Sequence, residues 1–135
     1  MQQAFDNALR VQDAVFEVAR VGIPGHEVKT LSQDLCEEWG IEGSVYSHSV
    51  GVGGHGIGAW INPTWPDRYG ARSSFPLREG AVYALESHAL TMVPEWGDQV
   101  LSINTEEDVV LTANGFSYVV PRQEEIRLIG GASHD

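Results

Sequence analysis

The chain has 135 residues, a length that fits one domain with a real hydrophobic core. Its formal net charge of -11 at pH 7 disfavours binding to nucleic acid or to an anionic membrane surface, because both need clustered Lys and Arg. No apolar run approaches the roughly 20 residues of a membrane span, and the N-terminus lacks the pattern of a signal peptide. The single cysteine, Cys36, excludes an internal disulfide, so we expect a cytoplasmic protein.

The first 40 residues have the pattern of two helices. Apolar side chains recur with mostly helical spacing over residues 3–20, and Gly22-Ile-Pro-Gly25 interrupts that spacing. A second helix is predicted from His26 to Trp39, with Gly40 as its terminator. Two helices with a short Pro-Gly connection predict a helical hairpin.

After Gly40 the composition changes to glycines, turns and β-formers. Glycines crowd residues 51–58, which indicates tight turns or close backbone approach, and residues 62–80 are predicted to form a long loop. Asn114-Gly115 is a strong hairpin signal, and we expect residues 131–135 to be a frayed tail. Helices followed by antiparallel strands predict an α+β fold. The predicted strands are Ala81 to Glu86, Gln99 to Ile103, Asp108 to Thr112 and Phe116 to Val120.

Four stretches, in order, resemble one enzyme family. His48-Ser-Val-Gly-Val-Gly-Gly-His-Gly-Ile-Gly58 is similar to the glycine-flanked histidine motif of the methionine aminopeptidase, prolidase and creatinase family. This resemblance implies the C-terminal half of a pita-bread fold over residues 1–130, with the helical hairpin packed on an antiparallel sheet. The other matching stretches are Arg20-Val-Gly-Ile-Pro-Gly25, Leu77-Arg-Glu-Gly-Ala-Val-Tyr-Ala-Leu-Glu86 and Glu107-Asp-Val-Val-Leu-Thr-Ala-Asn-Gly115.

The resemblance also implies part of a metal centre. The family holds two metal ions with two aspartates, one histidine and two glutamates, of which three carry over as His55, Glu86 and Glu107. Asp108 would orient one of these ligands from behind. Carboxylates and an imidazole suit Mn, Co, Fe or Zn. The two aspartates belong to the N-terminal half of the family domain, and no stretch of this chain matches them.

Four further residues are candidates for catalysis or substrate binding. Asn62 stands where the family usually has a catalytic histidine, and an amide cannot cycle a proton near neutral pH. His88 would share a strand face with Glu86 and is the best substitute for a lost ligand or base. Arg68 and Arg72 lie on the long loop, where they could meet a substrate carboxylate.

Each residue also has a structural interpretation. Without the resemblance, His55 would be expected to bond a backbone carbonyl, and residues 106–108 would be a solvated acidic turn. Glu86 could point inward, where its carboxylate needs a partner, or outward to solvent, and the sequence leaves both open.

Two functions are therefore in view. The first is a metal-dependent exopeptidase of the aminopeptidase or Xaa-Pro dipeptidase type, acting on a peptide or dipeptide. The second is a catalytically inactive relative that serves as a metal-binding or protein-interaction module. A half domain would expose an apolar face, so its partner is either a missing N-terminal half or a second copy in a twofold homodimer.

Overall fold

The computed structural model describes residues 1–51, 54–63, 70–127 and 129. Arg68 and the predicted tail, residues 131–135, lie outside them. Two helices are followed by five strands, with short 3₁₀ turns at Gly70–Ser74 and Pro94–Trp96. The elements are α1 (Gln2–Val18), α2 (Gly25–Glu38), β1 (Glu42–Gly51), β2 (Gly54–Ile61), β3 (Val82–Val93), β4 (Gln99–Thr112) and β5 (Gly115–Tyr118).

The five strands form one antiparallel sheet in the order β2-β1-β3-β4-β5. Both helices pack on one face of this sheet, and the opposite face is called the open face below. The main core lies between the helices and the sheet, where Val15, Val28 and Leu85 are fully buried. The predicted α+β fold, a helical hairpin packed on an antiparallel sheet, is therefore confirmed.

The N-terminus of α2 lies directly against β2. A Cβ atom at Gly25 would overlap the backbone carbonyl of Trp60, so only glycine allows this approach. Pro24 precedes the helix with extended backbone, which suits a proline at a helix boundary. The Pro-Gly connection thus fixes how closely the hairpin sits on the sheet.

The glycine-rich segment forms two paired strands, which the sequence did not predict. Ser49 explains the pairing, because its Oγ accepts a hydrogen bond from the Gly58 amide at 2.9 Å. A Cβ atom at Gly56 would come within 2.9 Å of this same oxygen. The β1–β2 register shifts between His48 and Val50, as at a β-bulge. The glycines therefore allow close strand contact at an irregular point.

One strand replaces two predicted ones. Residues 99–103 and 108–112 were predicted as separate strands, but β4 runs continuously through the acidic residues between them. Its whole length pairs with β3, from Val93↔Gln99 to Val82↔Val110, and this pairing continues the strand through polar residues. The Asn114-Gly115 hairpin prediction is confirmed by the Thr112↔Gly115 pair.

No helix in the described ranges is long and apolar enough to cross a membrane.

Candidate functional site

Two carboxylates face each other on the open face. Leu85 is fully buried in the core, so its strand neighbour Glu86 points to the opposite side of β3. Glu86 pairs directly with Glu106 of β4 on one side and with Tyr46 of β1 on the other. Like charges directly opposite each other destabilise a sheet. Fold stability therefore does not explain why these two carboxylates lie opposite each other.

The Glu86 carboxyl is electrostatically perturbed. Partial burial raises its pKa above the ordinary value, and the Glu106 carboxylate raises the pKa further. The nearby imidazoles of His48 and His55 oppose this shift. The site thus combines negative charge with limited solvation, which is where a bound cation would be most stabilising.

Two histidines border the carboxylates. His48 Nε2 lies 3.3 Å from Glu86 Oε1, and its Nδ1 lies 3.2 Å from the Ser49 carbonyl. The His55 ring lies against His48, with 4.0 Å between ring centroids, and 5.5 Å from the Trp60 ring. His55 is exposed, whereas His48 is buried. His48 therefore orients the Glu86 carboxylate, and the imidazole of His55 is accessible to solvent.

Glu107 does not join this group, so its predicted role as a metal ligand beside His55 and Glu86 stays a prediction. It pairs with Leu85 and follows the alternation of Val109, so it lies on the helix-covered face. Its Oε1 accepts a hydrogen bond of 3.4 Å from the backbone N–H of Gln123. The glutamate of β4 that lies beside Glu86 is Glu106.

The other candidates differ in where they lie relative to a cleft that Glu86 and Glu106 line. His88 is exposed on the open face two residues beyond Glu86, and Asp108 is exposed two residues beyond Glu106. Asn62 is only 2% exposed and forms part of the cleft wall. The Arg72 guanidinium lies 4.9 Å from the centre of a Trp60 ring. Arg68 is outside the described residues, so its prediction has no structural counterpart here.

The chemical types of these donors suit a divalent ion, but the donors among the described residues are too few to hold one. Imidazole and carboxylate are the ligands that Mn, Co, Fe and Zn accept. Within the described ranges, however, no three His, Cys, Asp or Glu side chains are arranged to hold one ion. The described residues thus present the donors of an incomplete site.

A sequence model of metallopeptidase family M24 matches residues 1–113. The chain belongs to metallopeptidase family M24. The Xaa-Pro dipeptidase of Pyrococcus horikoshii is 26% identical over 125 residues, covering 93% of this chain and 32% of the dipeptidase. The Xaa-Pro dipeptidase of Pyrococcus furiosus gives the same identity and coverage. This M24 chain thus spans about a third of the length of these curated relatives.

Solved structures support the fold of the M24 chain. The X-Pro aminopeptidase of Thermotoga maritima superposes with a TM-score of 0.63 at 22% identity, covering 90% of this chain and 32% of that one. The methionine aminopeptidase of Rickettsia prowazekii gives 0.57 at 20% identity, covering 86% and 50%. At these identities the likeness shows the fold, which is part of the pita-bread structures of the family.

Sequence reasoning missed two residues of this candidate site. Glu106 could have been found from strand alternation, because Val109 and Leu111 are core-like and Glu106 has the opposite parity. His48 carried no comparable signal, since its contact with Glu86 depends on the pairing of β1 with β3. The missing signals were therefore strand register and strand order.

Proposed function

We propose that this chain carries the histidine- and glutamate-bearing part of a metal-dependent exopeptidase site, of the aminopeptidase or Xaa-Pro dipeptidase type. The observation that carries the proposal is the pairing of Glu86 with Glu106 on the open face, with His55 beside them. Membership of family M24 and the activities of the relatives supply the reaction class. The substrate would be a peptide or dipeptide cleaved near its N-terminus.

His55, Glu86 and Glu106 are the proposed metal-binding residues. Divalent ions held there would supply an activated water and polarise the scissile carbonyl. His48 would keep the Glu86 carboxylate oriented through the 3.3 Å contact. Glu107 is left out because it faces the helices.

The chain's other open-face residues would handle the substrate. His88 is the proposed proton-transferring group, because an imidazole can both donate and accept a proton and the amide of Asn62 cannot. Arg72 is proposed to approach the substrate from the β2 side, where it lies over Trp60. Asp108 is proposed to orient the carboxylate of Glu106, which lies two residues away on the same face of β4.

The remaining metal donors would come from a second polypeptide surface. Either a further segment corresponding to the rest of the relatives or a second copy in a twofold homodimer would complete the site. The limited span over the relatives and the incomplete donor set of the described residues support this requirement. Sedimentation with and without Mn²⁺ tests the homodimer, and a monomer at high protein concentration under both conditions would exclude it.

The second candidate function is a catalytically inactive metal-binding or interaction module. Asn62 favours it, because a buried amide replaces the acid–base group of the family at that position. The same incomplete donor set favours it as well. Under this alternative the open face binds cations or partners but no hydrolysis occurs.

One experiment separates the two functions. Metal content and hydrolysis of a dipeptide series are measured with added Mn, Co or Zn, for the wild type and Glu86→Gln. The exopeptidase proposal predicts metal uptake and turnover that are both lost in Glu86→Gln. Uptake without turnover supports the inactive module, and absence of both contradicts each proposal.

A further inference from the structure

A cleft of about 780 Å³ joins the carboxylate pair to the edge of β1. Its lining includes Glu86 and Glu106 on the sheet and Lys29 from α2. Over the part of β1 that precedes Ser47, β2 makes no strand pairs, so α2 borders the sheet edge there. The cleft therefore has an acidic side and a side that carries a cation.

Lys29 is the only lysine in the sequence. Its Nζ donates to Ser44 Oγ at 2.7 Å and to the Val45 carbonyl at 2.6 Å. An ammonium has three N–H donors, so one remains for another acceptor. Among the described residues no carboxylate forms an ion pair with Lys29, although the chain carries a large excess of acidic groups.

The surroundings of Lys29 make an unbalanced charge costly. Burial lowers the pKa of its ammonium, and no acidic neighbour is among the causes of the shift. A partly buried cation without a counterion is best satisfied by an anionic ligand group.

Asn62 is a second polar group without a partner on the same cleft. It is 2% exposed, and its Nδ2 has no hydrogen-bond acceptor in the part of the chain that the structure describes. A buried amide donor normally has a partner, because burial removes its hydrogen bond to water and an unpaired donor gains nothing in return. An acceptor-rich ligand entering the cleft would supply one after a small local adjustment.

We propose that Lys29, with Asn62 beside the same cleft, receives the terminal carboxylate of a dipeptide whose amino end lies towards Glu86 and Glu106. This inference rests on the proposed exopeptidase function and names its substrate class. In the metal-free chain the cleft then matches a zwitterion, with the Lys29 ammonium at one end and the Glu86 and Glu106 carboxylates at the other. Longer peptides would have to extend past Lys29, so free dipeptides are favoured.

The dimensions agree with this substrate. Neighbouring strands lie about 4.8 Å apart, so Glu86 is about one strand from the β1 edge and Glu106 about two. An extended dipeptide spans roughly 7 Å. Its two ends therefore reach from the Lys29 side of β1 to the carboxylate pair.

The test compares binding of alanyl-proline with its C-terminal amide, which lacks the carboxylate. Isothermal titration of the whole chain, with metal removed by EDTA so that the dipeptide is not hydrolysed, is expected to show the acid binding at least about tenfold tighter than the amide. Lys29→Met keeps most of the unbranched side chain but removes the ammonium, so it is expected to abolish this preference, whereas Lys29→Arg should retain it. Arg20→Gln, at an exposed arginine outside the cleft lining, is the control and should leave the preference unchanged.

A direct signal accompanies the titration. Because the chain has one lysine, ¹³Cε-lysine labelling gives a single side-chain resonance, which the acid should shift and the amide should not. Circular dichroism establishes that Lys29→Met is folded. The inference is overturned if Lys29→Met keeps the preference, if the preference is lost in Arg20→Gln instead, or if neither ligand shifts the lysine resonance.

Failure of this inference differs from failure of the proposed function. Metal uptake measured without peptide should be the same in Lys29→Met and the wild type. Lost uptake in Glu86→Gln with no carboxylate preference in the wild type would leave the metal proposal standing and remove Lys29 as the receptor. A wild type that takes up no metal but binds the acid more tightly than the amide would remove the metal proposal and leave Lys29 standing as the carboxylate receptor.

Discussion

The two faces of the sheet use the same strands for different purposes. On the helix-covered face, Leu85 and Leu111 are fully buried in a continuous apolar core. On the open face, the neighbouring residue Glu86 stands directly opposite Glu106, and burial raises its pKa. Burial of apolar side chains on the helix-covered face stabilises the fold. The open face can therefore hold a pair of carboxylates that destabilises it. Such local conflicts with stability are expected where a protein binds or reacts.

The largest contrast should appear when each face is truncated. Leu85→Ala removes a fully buried side chain and is expected to destabilise the fold by about 2–5 kcal/mol. His88→Ala on the open face should change stability by no more than about 0.5 kcal/mol. Urea unfolding followed by circular dichroism measures both. Equal losses would mean that the open face also contributes to the core.

A smaller loss is expected where α2 meets β2. Gly25→Ala places a methyl group into the Trp60 carbonyl, so the helix must shift and the cost is about 1–3 kcal/mol. Asp34→Ala, at an exposed position of the same helix, is the control and should be nearly neutral. Thermal unfolding compares the two variants. A neutral Gly25→Ala would contradict the close approach that positions the helices.

The smallest effect has the opposite sign. With metal removed by EDTA, Glu106→Gln should stabilise the fold by about 0.2–1 kcal/mol, because it ends the repulsion with Glu86. The gain should shrink at high ionic strength, since salt screens exposed charges. Glu107→Gln should show no gain, and a destabilised Glu106→Gln would contradict the repulsion.

The helical part of the fold was predictable from the sequence. The predicted helices at residues 3–20 and 26–39 correspond to Gln2–Val18 and Gly25–Glu38. Apolar spacing and the Pro-Gly break act within a few residues, so local sequence carries them. The order of helices and strands, with the family motifs, then predicted the α+β class.

The strand details were less predictable because they depend on pairing partners. The many glycines favoured turns over strands, so β1 and β2 were not predicted. The close contact between these strands depends on the same glycines. Polar residues divided β4 into two predicted strands, although pairing with β3 keeps it continuous. The candidate site depends on the same pairing, since Glu106 and Glu107 are one residue apart and lie on opposite faces of β4.

The most direct test is the metal affinity of Glu106→Gln and Glu107→Gln, measured by titration with Mn²⁺ against the wild type. The two substitutions make the same chemical change at adjacent positions on opposite faces of β4. The account predicts affinity at least about tenfold weaker in Glu106→Gln and unchanged in Glu107→Gln. Loss in Glu107→Gln with full uptake in Glu106→Gln would contradict it.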